Sequence, residues 1–241
     1  MGRIGKITTR IKRCPVIIDR LCWRMIDLRN YRVIDLSAEL HPGVLKVNGE
    51  YIHSREARRL EIRQFIYAPD KAFMHWVETE THIGTHVEMP AHYVENGKSS
   101  SEMPIETFMG EAILLKFDFL RPQNGRGVPI RIEHLDKVRR DDIVLMWSPY
   151  KGAESPYISC EAAKWLAEKC IKLLGVQNIG VEESYASMAT HRNLLENDIP
   201  IIEGLVNLDA ISNERIFYIG LPLRIASLDS SWIRAIALEE R

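Results

Sequence analysis

Three histidines and one glutamate lie close together in this chain, between positions 82 and 92. The four side chains are His82, His86, Glu88 and His92. Imidazole and carboxylate groups are the ligands that hold a catalytic divalent metal at neutral pH. Because so dense a cluster rarely arises from surface composition alone, the segment predicts a metal site. The alternative is a polar loop whose histidines are solvated or hydrogen-bonded.

The residues around the histidines predict a strand that runs into a loop, not a helix. His82 and His86 have the four-residue spacing of a helical zinc-protease motif, but that motif requires a Glu where this chain has Ile83. An intervening glycine, several β-branched residues and a following proline all disfavour a helix interior. In a strand, His82, His86 and Glu88 would project to one face because even numbers of residues separate them.

A second group of ligand-type residues follows much later in the chain. Gly180-Val181-Glu182-Glu183-Ser184 precedes His191, and the segment 199–208 contains Glu203. The first cluster resembles the HxGTHxDxPxH signature of the cyclase-like metal-dependent hydrolases, the family of bacterial kynurenine formamidase and isatin hydrolase. The second group is similar to that family's GxDxxS…H…E.L.NL block. The resemblance runs from about Val33 to the end of the sequence.

The resemblance implies a set of metal ligands. His82, His86 and Glu88 would bind a first divalent ion, zinc or manganese. His191 and Glu203 would complete a second metal position, with the carboxylate of residue 88 bridging the two. The cofactor would therefore be one or two divalent ions.

The resemblance also implies a reaction and a catalytic residue. His92, the last histidine of the signature, would be the acid/base group that carries a proton to the departing amine. The implied activity is hydrolysis of an amide-type bond in a small molecule, an aryl formamide or a lactam, through metal-activated water. Two alternatives stay open: a metal-dependent lyase or dehydratase, and a catalytically retired binding protein on the same scaffold.

Two residues depart from the family pattern. Glu88 and Glu182 stand where the family usually has Asp. The extra methylene of Glu88 displaces its carboxylate by about one C–C bond, roughly 1.5 Å. Metal sites tolerate only a few tenths of an ångström in ligand distance, so we expect one tightly held ion and a second that is weak or missing.

The rest of the sequence predicts a single α/β domain over residues 31–241. Strands are predicted at 33–37, 73–81, 111–119, 143–147, 176–181, 199–203, 217–223 and 232–238. Helices are predicted at 186–197 and after Ser159, which can cap a helix that Gly175 would end. The resemblance implies the swivelling β/β/α fold with a mixed sheet.

Composition narrows the class of protein. The 241 residues carry a formal net charge of −1, so no global field points to nucleic acid. No apolar run reaches the length of a membrane span. The four cysteines form no CxxC pair, which favours reduced thiols. We therefore expect a cytoplasmic homo-oligomer that acts on a small molecule.

Residues 1–30 differ in charge from the rest of the chain. Eight Lys or Arg against two Asp give this extension a formal charge of +6, which leaves −7 on the remainder. A basic arm of this kind could contact a membrane or nucleic acid. The extension lies outside the family resemblance, and we favour a solvated or subunit-packing role that contributes nothing to the chemistry.

Overall fold

The computed structural model describes residues 27–40, 43–44, 46–47, 50–51, 59–67, 69 and 71–241. The predicted basic extension, residues 1–30, lies almost entirely outside this range, so its role stays a prediction. Among the described residues, no helix combines the length and the apolar character needed to cross a bilayer.

The described residues form fifteen strands, two α-helices and six short 3-10 helices. The strands are β1 (Tyr31–Asp35), β2 (Gly43–Val44), β3 (Lys46–Val47), β4 (Glu50–Tyr51), β5 (Arg59–Tyr67), β6 (Ala72–Glu78), β7 (His86–Glu88), β8 (Met109–Lys116), β9 (Pro129–Ile130), β10 (Ile143–Trp147), β11 (Tyr157–Ile158), β12 (Leu173–Gln177), β13 (Ile201–Glu203), β14 (Arg215–Pro222) and β15 (Ser230–Glu240). The α-helices are α1 (Cys160–Lys169) and α2 (Ala189–Leu195). The 3-10 helices are Leu28–Asn30, Pro90–His92, Ile105–Phe108, Ile132–Leu135, Gly152–Glu154 and Leu208–Ala210.

The main sheet closes on itself. Its strand order is β1-β15-β14-β8-β10-β12-β13-β7, and an additional pairing of β7 with β15 joins seven of these strands into a ring. The four strands β8, β10, β12 and β13 run parallel, and the other pairings are antiparallel. This mixed sheet in an α/β chain confirms the predicted fold class.

Both faces of the central strands are buried, which explains their continuous apolar sequences. In β10, Ile143 and Leu145 belong to the core enclosed by the ring, together with side chains from β14 and β15. The alternating residues Val144 and Met146 belong to a second core beneath α1 and α2. The period of two along a strand thus divides one apolar run between two cores.

Two predicted boundaries between α1 and β12 are wrong. The helix is capped by Ser159 as expected, but it ends at Lys169, and the capping residue Cys170 has a left-handed φ of 57°. Gly175 lies inside β12, where a Cβ atom would approach side-chain carbons of Leu145 and Leu205 at 2.8 Å. This glycine therefore serves close packing within the barrel, and the strand predicted at 176–181 begins earlier, at Leu173.

The cysteines only partly follow the expectation of reduced thiols. Cys160 is a free thiol, whereas Cys170 is disulfide-bonded. The prediction is therefore wrong for Cys170.

Candidate metal centre

The short strand β7 carries two of the predicted ligands and is paired on both sides. His86 lies opposite Glu203 of β13 on one side and opposite Trp232 of β15 on the other. The intervening Val87 belongs to the barrel core. Because side chains alternate along a strand, His86 and Glu88 must both project from the outer face of the ring.

His82 does not share this strand, contrary to the prediction. Residues 81–85 form a series of bends, and Gly84 has a φ of +61°, which a regular strand does not contain. The hydroxyl of Thr85 fixes this turn, since it donates to the carbonyl of Gly204 at 2.6 Å and accepts from the amide of Ala38 at 2.8 Å. His82 therefore reaches the site from a loop.

Close backbone packing holds the loop against β13. Gly204 has a φ of +70°, and a Cβ atom there would lie 2.2 Å from the carbonyl oxygen of Gly84. Only glycine fits this approach, which places Glu203 beside the histidine segment. The Nδ1 atom of His86 donates to the Gly84 carbonyl at 2.9 Å, so its Nε2 atom is left for the site.

The carboxylate of Glu88 lies at the centre of four imidazoles. Its Oε1 atom is 3.0 Å from Nδ1 of His82, 3.7 Å from Nε2 of His86 and 3.9 Å from Nε2 of His92. Its Oε2 atom is 2.9 Å from Nε2 of His191. Glu88 is almost fully buried, with 5% of its side chain exposed, so these contacts replace its hydration.

This arrangement shifts pKa values in opposite directions. Burial alone would raise the pKa of Glu88, but hydrogen bonds from His191 and His82 outweigh it and hold that pKa far below its usual range. Burial opposes protonation of His191, yet hydrogen bonds to Glu182 and Glu88 raise its pKa to about 10. The contacts between Glu88 and His191 thus lower the pKa of the carboxyl group and raise the pKa of the imidazole.

Glu182, one of the two departures from the family pattern, orients His191. Its buried carboxylate accepts hydrogen bonds from the backbone amides of Thr190 and His191, at 3.1 and 2.8 Å. The same carboxylate lies 2.7 Å from Nδ1 of His191. This contact fixes the ring so that Nε2 faces Glu88, which is the usual function of a carboxylate behind a metal-binding histidine.

Asp229 belongs to the site but did not emerge from the sequence. Its Oδ2 atom lies 2.8 Å from Nε2 of His82 and 3.2 Å from Nδ1 of His92. Burial opposes its ionisation, but these hydrogen bonds lower its pKa overall. Asp229 immediately precedes β15, far along the chain from either histidine, and no neighbouring ligand-type residue marks it. Its only sequence signal is its place three residues before the strand predicted at 232–238.

All six predicted site residues come together, although their grouping differs from the expected one. His82, Glu88 and His92 form one group of potential ligand atoms within 4.8 Å of one another, and His86, Glu88 and Glu203 form another. Glu88 is common to both groups. Burial and the nearby charge of Glu88 raise the pKa of Glu203. His92 is the most exposed of the four imidazoles, with 27% of its side chain accessible.

The residues present fit a divalent cation. The Nε2 atom of His86 is buried and has no hydrogen-bond partner, although the carboxylates of Glu88 and Glu203 lie beside it. A buried ring nitrogen without a partner destabilises the folded protein unless an ion or another group contacts it. Imidazole donors of this kind suit a transition-metal ion better than calcium or magnesium.

Comparison with known proteins agrees with this geometry. The family model described as "Putative cyclase" matches residues 34–183. The chain belongs to the cyclase family. The matched range includes the first histidine cluster and Glu182, whereas His191, Glu203 and Asp229 follow it.

Two curated relatives agree with the family assignment, and two solved structures share the fold. The kynurenine formamidase of Erythrobacter litoralis is 32% identical over 168 residues, which cover 66% of this chain and 74% of the relative. That of Bordetella petrii is 27% identical, over 68% of this chain and 79% of the relative. Isatin hydrolase A from Ralstonia solanacearum has a TM-score of 0.71 at 21% identity, covering 88% of this chain and 93% of that structure. A potential metal-dependent hydrolase with cyclase activity has a TM-score of 0.69 at 21% identity, covering 88% and 99%.

Proposed function

We propose that this chain is a metal-dependent hydrolase of an amide-type bond in a small molecule, of the aryl formamide or lactam class. The observation that carries the proposal is the Glu88 carboxylate surrounded by four imidazoles beside the unpartnered nitrogen of His86. The relatives named above, kynurenine formamidases and an isatin hydrolase, support the substrate class.

In this proposal His82, His86 and Glu88 hold one divalent ion, and Glu88, His191 and Glu203 form the position for a second. Zinc or manganese bound there supplies Lewis-acid activation of the scissile carbonyl and of water. Glu182 and Asp229 hold the ligand rings in place, because each accepts a hydrogen bond from the ring nitrogen that faces away from Glu88.

His92 transfers the proton. Its Nδ1 atom is held by Asp229, so Nε2 is the atom that exchanges a proton with the substrate. The oxygen of water adds to the carbonyl carbon, the C–N bond breaks, and a proton from that water is delivered to the departing nitrogen. The products are a carboxylate and an amine, or a ring-opened amino acid from a lactam. A partly exposed imidazole suits this role because it can reach both substrate and solvent.

Metal analysis combined with an amide panel tests the proposal. Purified protein is loaded with zinc or manganese and assayed on formanilide, isatin, an ester and a lactone. We expect turnover of the amide or the lactam, with amine or ring-opened product released in step with carboxylate. Stoichiometric metal without turnover of any compound would favour the retired binding protein, and elimination products would favour the lyase.

We also propose that the active form is a homo-oligomer, with a second copy of the chain covering the β5–β6 hairpin. Every residue of β6 is exposed, including Phe73 at 70% and Trp76 at 67%. These two side chains project to opposite faces, and β6 is the edge strand of its small sheet. Lys71 precedes β6 and Glu78 ends it, so antiparallel pairing with a second β6 would place opposite charges together.

Sedimentation of variants tests this surface. Trp76→Lys should yield monomers at concentrations at which the unmodified protein is a dimer. Phe119→Lys is the control, since Phe119 is 58% exposed and lies outside the hairpin. A dimer that survives Trp76→Lys, or a monomeric unmodified protein, would contradict the proposal.

A further inference from the structure

Two residues with an unpartnered buried nitrogen are paired across neighbouring strands at the candidate metal centre. Within the described part of the chain, three buried side-chain nitrogen or oxygen atoms have no hydrogen-bond partner: Nε2 of His86, Nε1 of Trp232 and the hydroxyl of Tyr218. Tyr218 belongs to the core enclosed by the ring. His86 and Trp232, in contrast, are directly opposite each other in the ladder between β7 and β15.

The register places the indole of Trp232 on the same face as the candidate ligands. Val87 and Ile233, which adjoin His86 and Trp232 in sequence, both belong to the enclosed core. Their neighbours His86 and Trp232 therefore project outward. Directly opposed residues of an antiparallel pair have Cβ atoms about 4.5–5.5 Å apart. With Glu203 on the far side of His86, the three side chains form a row across β13, β7 and β15.

The two unpartnered nitrogens need different partners. An imidazole nitrogen can bind a cation through its lone pair, so an ion satisfies His86. The indole nitrogen carries a hydrogen and no available lone pair, so it can only donate to an acceptor. A metal ion therefore leaves Trp232 unsatisfied, and the missing partner must be an acceptor atom such as oxygen.

We propose that Trp232 is a substrate-binding residue whose Nε1–H donates a hydrogen bond to the carbonyl oxygen of the amide. This inference rests on the proposed function. Negative charge grows on that oxygen as water adds to the carbonyl carbon, so the hydrogen bond strengthens along the reaction. A donor fixed in advance by the sheet acts in the same way as the donors of an oxyanion hole.

Replacement of the indole by a phenyl ring tests the hydrogen bond apart from the packing. Trp232→Phe keeps an aromatic side chain but removes the donor. In metal-loaded protein we expect kcat for formanilide to fall by about 10²-fold, the usual effect of losing one oxyanion donor, while metal content stays unchanged. Trp165→Phe is the matched control, because Trp165 packs against the core beneath the helices. Its kcat should equal that of the unmodified enzyme.

A spectroscopic measurement addresses the same hydrogen bond without turnover. The chain has five tryptophans, so the Nε1–H resonance of Trp232 can be assigned in a ¹⁵N-labelled sample by its absence in Trp232→Phe. We expect benzoate, an aryl oxyanion that cannot be hydrolysed, to shift this resonance downfield in the metal-loaded protein. The other four indole resonances should move little.

Two results would overturn the inference. One is an unchanged kcat in Trp232→Phe while the unmodified enzyme hydrolyses formanilide. The other is an indole resonance that responds to the metal alone and not to benzoate, which would make Trp232 a partner of a ligand carboxylate. Failure of the unmodified enzyme to hydrolyse any amide would count against the proposed function, and the benzoate titration would still decide the role of Trp232.

Discussion

The strands β6 and β7 are consecutive in the chain but lie in opposite environments. Every residue of β6 is exposed, and every residue of β7 is buried. Among the described strands, β6 pairs only with β5, whereas β7 is hydrogen-bonded to β13 and to β15. Both strands carry a histidine, so the residue types alone do not separate them.

The surroundings of the two histidines show what a metal site requires. The Nε2 atom of His75, on β6, lies 3.4 Å from the amide nitrogen of Gln64. His86, on β7, has an unpartnered nitrogen with the carboxylates of Glu88 and Glu203 within reach. A metal centre thus arises where paired strands bring several donors together out of water, and an exposed edge strand provides no such convergence.

The largest expected difference is between the two histidines themselves. His86→Ala should reduce the metal content of the purified protein to background and abolish turnover. The substitution removes a proposed metal ligand from the strand that also carries Glu88. His75→Ala should leave the metal content unchanged. Elemental analysis of both variants checks this, and equal metal loss in the two would contradict the comparison.

The next effect concerns His92, whose side chain is the most exposed of the four imidazoles. His92→Ala should lower kcat by about 10²–10⁴-fold, the usual contribution of a general acid or base. Metal content should stay near that of the unmodified protein. Joint loss of metal and activity would instead make His92 a ligand, in agreement with its grouping with His82 and Glu88.

A smaller effect is expected at Asp229, which contacts two histidines without belonging to either ligand group. Asp229→Asn should reduce metal affinity or kcat by about 10–100-fold, as for other residues that orient a ligand ring. Competition with a metal chelator and steady-state kinetics separate the two effects. Asp198→Asn is the control, since Asp198 forms an exposed ion pair with Lys98. An unaltered Asp229→Asn enzyme would refute the positioning role.

Substitution of Glu88 should change the number of bound metal ions more than it changes the rate of turnover. We expect the unmodified chain to bind one ion tightly, because the longer side chain strains the bridge between two positions. In Glu88→Asp, isothermal titration should reveal higher occupancy of a second position. Two ions of comparable affinity in the unmodified protein would show that the backbone already compensates for the methylene.

The smallest effect is expected from removing residues 1–26. None of the predicted ligands lies in this basic segment, so we expect the truncated enzyme to retain nearly full kcat/KM. A truncated protein that is folded and metal-loaded but inactive would show that the extension shapes the site.

Local rules allowed part of the fold to be predicted. The strand predicted at 143–147 coincides with β10, because a short β-branched and apolar run between Asp142 and Ser148-Pro149 has few alternatives. Ser159 caps α1 through a hydrogen bond that its hydroxyl accepts from the amide of Ala162 at 3.2 Å. The six ligand-type residues were found because two sequence blocks carry them.

Features that depend on distant contacts could not be predicted. Local rules predict a helix stop at Gly175, but its role is to leave space for Leu145 and Leu205 in the barrel. The residue pattern predicts a strand at His82, but the packing of Gly84 against Gly204 turns the chain there. Asp229 is separated from His92 by most of the domain, and only closure of the barrel brings the two together.

The position of β7 has a consequence for folding. This strand of three residues joins β13 to β15 and so completes the ring, and it also carries His86 and Glu88. Barrel closure and assembly of the ligand set are therefore one event, and an ion that binds the ligand set holds the ring shut. By mass action, an ion at a hundred times its Kd adds about 2.7 kcal/mol to the free energy of unfolding. The metal concentration thus affects the stability of the closed barrel as well as its chemistry.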